Sequence, residues 1–149
     1  MDSRPILLVA EKDNESFQLM KKLLRDAGCG SSIVRFANGQ ALLDFLAVAE
    51  LAEHISTSKF ALLIDTELPE IDGMKVLRQI KKNRKLKSLP AIMMLEKQDP
   101  VQISLGYSLG CSGFIRKPVE IEELFSAFEK VNINLVSKEI REHLTEHAQ

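Results

Sequence analysis

The sequence predicts an α/β domain: five parallel strands in one sheet, with helices covering both faces. Three observations lead there. Five apolar runs alternate with five segments of helical period, the pattern of a βα unit repeated five times. Each run is short and β-rich, as a strand buried on both faces should be. The 149 residues, 45% of them apolar, suit one domain around a single core. Right-handed crossovers fold such a chain into a doubly wound sandwich.

Strand one is expected over Pro5 to Ala10. The first helix follows over about Asn14 to Ala27, with Phe17, Met20 and Leu24 spaced to face the sheet and Gly28 as its stop. Strand two spans Ser31 to Phe36. The second helix begins after Asn38-Gly39 and carries Leu42, Leu43 and Leu46; Leu51 to Ile55 would extend it to a stop at Ser56-Thr57-Ser58. Strand three is Phe60 to Asp65, after which Pro69 and Gly73 prevent the chain from continuing as strand. The third helix carries Met74, Val76, Leu77 and Ile80. Strand four is Pro90 to Leu95, and Asp99-Pro100 supplies an acidic cap and a first-turn proline for the fourth helix, which ends near Gly110. Strand five is Gly113 to Arg116. The fifth helix runs from Glu120 to about Val131, with glutamates in its first turn and Leu124, Phe125 and Phe128 for burial.

The domain is therefore assigned to residues 1–131, and residues 132–149 to a tail. Val136, Ile140 and Leu144 recur there every fourth residue, as in one more amphipathic helix. His143 and His147 lie one turn apart beside Glu142 and Glu146, but two histidines near a terminus fall short of a metal site.

Composition excludes several classes of function. Twenty basic residues against 21 acidic ones leave a net charge of -1, so no global field draws the chain to nucleic acid. The basic run Lys81 to Lys87 reads as a solvated helix end that complements the helix dipole, and no aromatics are interleaved for stacking on bases. Apolar stretches such as Ile6 to Ala10 and Ala91 to Leu95 fall far short of the ~20 residues that span a bilayer. Met1 to Pro5 lacks the features of a signal peptide, so a cytoplasmic location is expected. Cys29 and Cys111 then read as small apolar residues rather than a disulfide.

Chemistry is expected at the carboxyl ends of the strands, where the loops of an open α/β sheet form a crevice. Glu11 follows strand one, Asp65 ends strand three, Leu95 and Glu96 end strand four, and Lys117 follows strand five. Asp65 is thereby a candidate nucleophile or metal ligand. Each position also has a plainer reading. An Asp at a strand end can cap a turn, and Glu11 can serve the dipole of the helix it precedes.

Ile6-Leu-Leu-Val-Ala-Glu11, Leu63-Ile-Asp65-Thr-Glu-Leu-Pro69 with Asp72-Gly73, and Gly110-Cys-Ser-Gly-Phe-Ile-Arg-Lys117-Pro118 together resemble the receiver domain of two-component response regulators, over about residues 5 to 131. The long second helix also resembles that of single-domain receivers related to the regulators of bacterial phytochromes. The resemblance implies the flavodoxin-like strand order 2-1-3-4-5. It further implies that Asp65 accepts a phosphoryl group from a histidine kinase or phosphotransfer protein and holds it as an acyl phosphate. By the same resemblance, Mg²⁺ would be held by the side chains of Glu11 and Asp65 and the main-chain carbonyl of Glu67. Lys117 would pair with the acceptor and its phosphoryl oxygens, Pro118 would follow a cis bond, and Phe114 would be the aromatic switch residue, signalling by packing alone because it has no hydroxyl. A homodimer through the fourth helix, fifth strand and fifth helix is the implied assembly; neither nucleic acid nor membrane is an expected partner.

Three positions depart from the family pattern. Ala10-Glu11 replaces an acidic pair, so Mg²⁺ should bind weakly. Leu95 stands where the family places a hydroxyl, and Glu96 where it places a small residue, so coupling between the site and the output surface should weaken. An ion pair from Lys97 to Glu67 or Glu96 would partly close the rim. Two functions stay open: a non-enzymatic single-domain receiver in a phosphorelay, and a pseudo-receiver used only as a protein-interaction module. An aspartate-dependent phosphohydrolase is a weaker third, since the chain has no length for a cap domain.

Overall fold

The computed structural model describes residues 4–52 and 60–147. Its elements, in chain order, are β1 (Ile6–Ala10), α1 (Asn14–Asp26), β2 (Ile33–Phe36), α2 (Gly39–Leu51), β3 (Phe60–Asp65), α3 (Gly73–Lys82), β4 (Ala91–Leu95), α4 (Pro100–Leu109), β5 (Gly113–Arg116), α5 (Ile121–Glu129) and α6 (Lys138–His147). All strand pairs are parallel, and the sheet order is β2-β1-β3-β4-β5. This is the doubly wound, flavodoxin-like arrangement, with β1 and β3 side by side at the centre.

Residues alternate across the sheet and feed two cores. Leu7, Val9, Leu63 and Ile92 pack with Phe17, Met20 and Leu24 of α1 and with Leu124, Phe125 and Phe128 of α5. Leu8, Leu62, Ile64 and Met93 pack on the other face with Leu42 and Leu46 of α2 and Val76, Leu77 and Ile80 of α3. Because β3 and β4 are buried along their whole length, they read as unbroken apolar runs.

β1, β2 and β4 start one or two residues later than the apolar runs suggest, whereas β3 and β5 start where expected. Pro5 and Pro90 carry no N–H to donate to a ladder, yet the Pro90 carbonyl accepts from Leu62 N–H (2.9 Å), and Ser32 O accepts from Leu7 N–H (2.8 Å). The helix starts follow local chemistry: the side chains of Asp13, Asn38, Asp72 and Asp99 each accept from backbone N–H groups in the first turn that follows. Gly28 ends α1 with φ +91°, in the left-handed region that glycine occupies without steric cost. Helix α2 is apolar on nearly all sides; only Gly39, Leu42 and Leu46 are buried, and Leu51 is 83% exposed. Its expected extension past Ala52, with the stop at Ser56 to Ser58, lies outside the described residues.

The tail is attached rather than free. Leu135 and Val136 are buried in the α1–α5 core, Gly30 N–H donates to Leu135 O (3.1 Å), and Ile140 fills the space beside Gly28 that a Cβ would need. Arg141 of α6 sits over the Phe125 ring, 5.6 Å from its centroid, and pairs with Glu129 (3.0 Å) and Glu122 of α5. Among the described residues no cluster of three or more His, Cys, Asp or Glu could hold a metal ion; the side chain of His147 lies outside them. No helix among the described residues is long and apolar enough to cross a membrane.

Candidate functional site at the carboxyl edge of the sheet

Three strands deliver three charged side chains to one point. Asp65 is the last residue of β3, Glu11 follows β1 and Lys117 follows β5. The Lys117 ammonium lies 2.8 Å from Asp65 Oδ2 and 2.6 Å from Glu11 Oε1. The Asp65 and Glu11 side chains are only 1% and 3% exposed, and that of Lys117 12%. Such a triad exists because a buried carboxylate needs a partner, and two adjacent carboxylates need one more strongly.

Backbone contacts hold the loops that carry these groups. Arg35 of β2 donates from Nε to Glu11 O and from Nη2 to Lys12 O, both at 2.9 Å, which pins the turn after β1. Asp65 Oδ1 accepts from Glu67 N–H at 2.8 Å, so one oxygen is held by the loop and the other by Lys117. Gly73 N–H donates to Thr66 O (3.0 Å), folding the loop back until α3 starts against the Asp65 carbonyl; a Cβ on Gly73 would collide with that oxygen. Lys117 N–H donates to Leu95 O (2.7 Å), and the Lys117-Pro118 peptide bond is cis.

Charges follow from burial and proximity. Burial pushes the Glu11 carboxyl above its usual range, and its contact with Asp65 adds to that; Lys117 acts in the opposite sense but does not cancel it. Burial alone would lower Lys117, yet its bonds to Asp65 and Glu11 outweigh burial and raise it. Lys117 therefore stays charged. Glu11 Oε2 is buried with no hydrogen-bond partner among the described residues, which leaves an oxygen with acceptor capacity beside Asp65.

The positions that depart from the family pattern have clear surroundings. Ala10 is fully buried and offers no side-chain oxygen, and Leu95, 2% exposed, closes the end of β4 with apolar surface. Lys97 makes no ion pair among the described residues; Glu67 is instead reached by Lys12, at 3.5 Å, from the loop after β1. Lys12 is the nearer neighbour because the β1 loop faces the β3 loop across the rim. Phe114 is half-buried, its ring lying where a Cβ on Gly106 of α4 would sit and meeting Tyr107 edge-on at 5.6 Å. Arg35 and Lys12 were not singled out from the sequence. A lone Arg inside Ile33–Phe36 was the available sign, since a charge in so short a strand calls for a partner.

Residues 7–129 match the model of the response regulator receiver domain. The chain is 28% identical over 126 residues to the "Probable methanogenesis regulatory protein FilR2" of Methanothrix harundinacea, covering 85% of this chain and 80% of that protein. Some other curated relatives are longer, and the chain spans 55% and 24% of two of them. Among solved structures, the bacteriophytochrome response regulator RtBRR superposes with a TM-score of 0.76 at 22% identity, over 96% of this chain and 92% of that one. The Mn²⁺-bound form of response regulator Rcp1 does so at 0.68 and 20% identity, over 89% of this chain and 99% of that one. These two likenesses concern the fold. With its sheet order and the match over residues 7–129, the chain belongs to the response regulator receiver domains of two-component signalling.

Proposed function

We propose that this receiver accepts a phosphoryl group on Asp65 from a histidine kinase or phosphotransfer protein. The observation that carries the reading is the buried Lys117 ammonium held between Asp65 and Glu11. In the transfer, the bond from phosphorus to the donor nitrogen breaks and one forms to a carboxylate oxygen of Asp65, giving an acyl phosphate. Lys117 stands where its charge can pass from the carboxylate to the phosphoryl oxygens as they arrive. Glu67 N–H fixes the Asp65 rotamer by holding Oδ1. In this reading the chain is a signalling component rather than an enzyme, works in the cytoplasm, and meets a second copy through α4, β5 and α5, where Val101 and Tyr107 are exposed.

Divalent cation chemistry suits the residues present. The unpartnered Oε2 of Glu11 beside Asp65, with the Glu67 carbonyl, makes the all-oxygen donor set a hard cation prefers. Bound there, Mg²⁺ would supply charge neutralisation for the phosphoryl oxygens. Ala10 contributes no carboxylate, and loss of an outer-shell partner alone lowers affinity by ~10 to 100-fold. Rcp1, which shares the fold, has a Mn²⁺-bound form.

A second reading, a phosphorylation-independent interaction module, is favoured by Leu95, whose buried side chain offers no donor to a phosphoryl oxygen. Acetyl phosphate with Mg²⁺ separates the two. The receiver reading expects one added phosphoryl mass that Asp65→Asn abolishes. Absence of the adduct together with absence of Mg²⁺ binding at millimolar concentration would leave the interaction module standing.

A further inference from the structure

The chain's charge is strongly segregated. Between Gly73 and Leu95 there are seven lysines and arginines and no aspartate or glutamate, so the rest of a chain of net charge -1 carries -8. These cations sit on α3 and on the loop leading into β4. That loop lies at the amino-terminal edge of the sheet, about 15 Å of helix away from Asp65.

The loop is built to hold its shape. Leu86 and Leu89 are buried in the core beneath it. Asn83 Oδ1 accepts from Lys85 N–H (2.9 Å) and Leu86 N–H (3.1 Å), while its amide donates to Glu50 of α2 (3.1 Å). Lys81 turns inward and donates to Lys87 O (2.9 Å) and Leu89 O (2.6 Å), closing the loop from below. The remaining cations point elsewhere. Arg78, Lys82, Arg84, Lys85 and Lys87 are exposed, and none pairs with a carboxylate among the described residues. Glu50, the acid that touches the loop, accepts from the Asn83 amide through Oε2 and makes no ion pair with these cations among the described residues. Arg78 and Lys82 also line a cleft of about 330 Å³ between α3 and α4, with Ser108 on its far wall.

A fixed loop that crowds like charges without pairing them carries a self-repulsion that an anionic partner would relieve, and such a patch steers association. Its extent selects the partner. No exposed aromatic stands within the patch for base stacking, and a net charge of -1 gives the whole chain no long-range field toward a polyanion such as a nucleic-acid duplex or an anionic membrane. A short acidic peptide stays within the patch.

We propose that the α3 C-terminus and the α3–β4 loop form a docking surface for a short acidic segment of a partner protein, with Arg78 and Lys82 taking carboxylates in the α3–α4 cleft and Arg84, Lys85 and Lys87 holding the flanking acids. This surface is independent of whether Asp65 accepts a phosphoryl group.

The test uses the full chain and a fluorescein-labelled peptide of about ten residues alternating Glu and Ser, followed by anisotropy; at that spacing the charges span a patch of this size. The triple variant Arg84→Glu, Lys85→Glu, Lys87→Glu should weaken binding by tenfold or more at low salt, and raising salt to about 0.3 M should weaken the wild type similarly. The control Lys21→Glu, Arg25→Glu, Lys130→Glu has the same net charge and should bind within about threefold of the wild type, which excludes a bulk-charge effect. Equal loss in both triple variants, or no binding by the wild type, overturns the proposal. So does tighter binding of a labelled DNA duplex or of phosphatidylserine vesicles than of the peptide. Unchanged far-ultraviolet circular dichroism shows that each variant is folded.

Discussion

Replacing Lys117 with methionine keeps most of the side-chain stem and removes the charge between two buried carboxylates. Each ammonium–oxygen contact, at 2.6 and 2.8 Å, has a gross attraction on the order of 4 kcal/mol or more at an effective dielectric of 20. Net loss is smaller, because the unfolded chain regains hydration; removing one partner of a buried pair typically costs about 3 to 5 kcal/mol. Glu11 lies above its usual range already and can take up a proton to blunt the penalty, which places Lys117→Met near the lower figure, about 3 kcal/mol at neutral pH. With a urea slope of roughly 2 kcal/mol per molar, the midpoint should fall by about 1.5 M. Asp65→Asn, added to Lys117→Met, should recover about 1 to 2 kcal/mol, since it removes one of the stranded charges. Equilibrium unfolding followed by circular dichroism measures all four corners of the cycle. A Lys117→Met variant within about 0.5 kcal/mol of wild type, or an Asp65→Asn effect identical in both backgrounds, would show that the three groups are not coupled.

The Glu11→Gln variant gives the pH dependence its sign. A carboxyl whose folded pKa lies above its value of 4.5 binds its proton more tightly in the native state, so its contribution is full below that value and is lost as pH rises through the folded pKa. Wild-type stability relative to Glu11→Gln should therefore decline on going from pH 4.5 upward and level off beyond the raised pKa; a rise over that interval would contradict the burial argument. Leu135→Ala should cost about 2 to 4 kcal/mol in urea unfolding, because the residue lies within the α1–α5 core. A cost under about 0.5 kcal/mol would mean that the tail is not part of the folding unit.

Most of the architecture was legible because it rests on periodicity. Phe17, Met20 and Leu24, and Met74, Val76, Leu77 and Ile80, sit where helical spacing puts them, and the five apolar runs became five strands. The convergence of Glu11, Asp65 and Lys117 was legible too, since parallel topology sends every strand's carboxyl end to one rim. Periodicity fails where contacts depend on reach across loops: Lys12 rather than Lys97 meets Glu67, and nothing in the order of residues ranks the two. It also fails where apolar residues are consecutive or surround a helix. Leu135 falls outside the repeat of Val136, Ile140 and Leu144 yet joins the core, whereas Val48 and Leu51 of α2 are apolar and exposed.

The contact between Phe114 and Gly106 has a mechanical meaning. The ring occupies the notch left by the missing side chain, so β5 and α4 are keyed to each other like a tooth in a slot. Ring and helix then share one coordinate. A spectroscopic label on Phe114 would report the seating of α4.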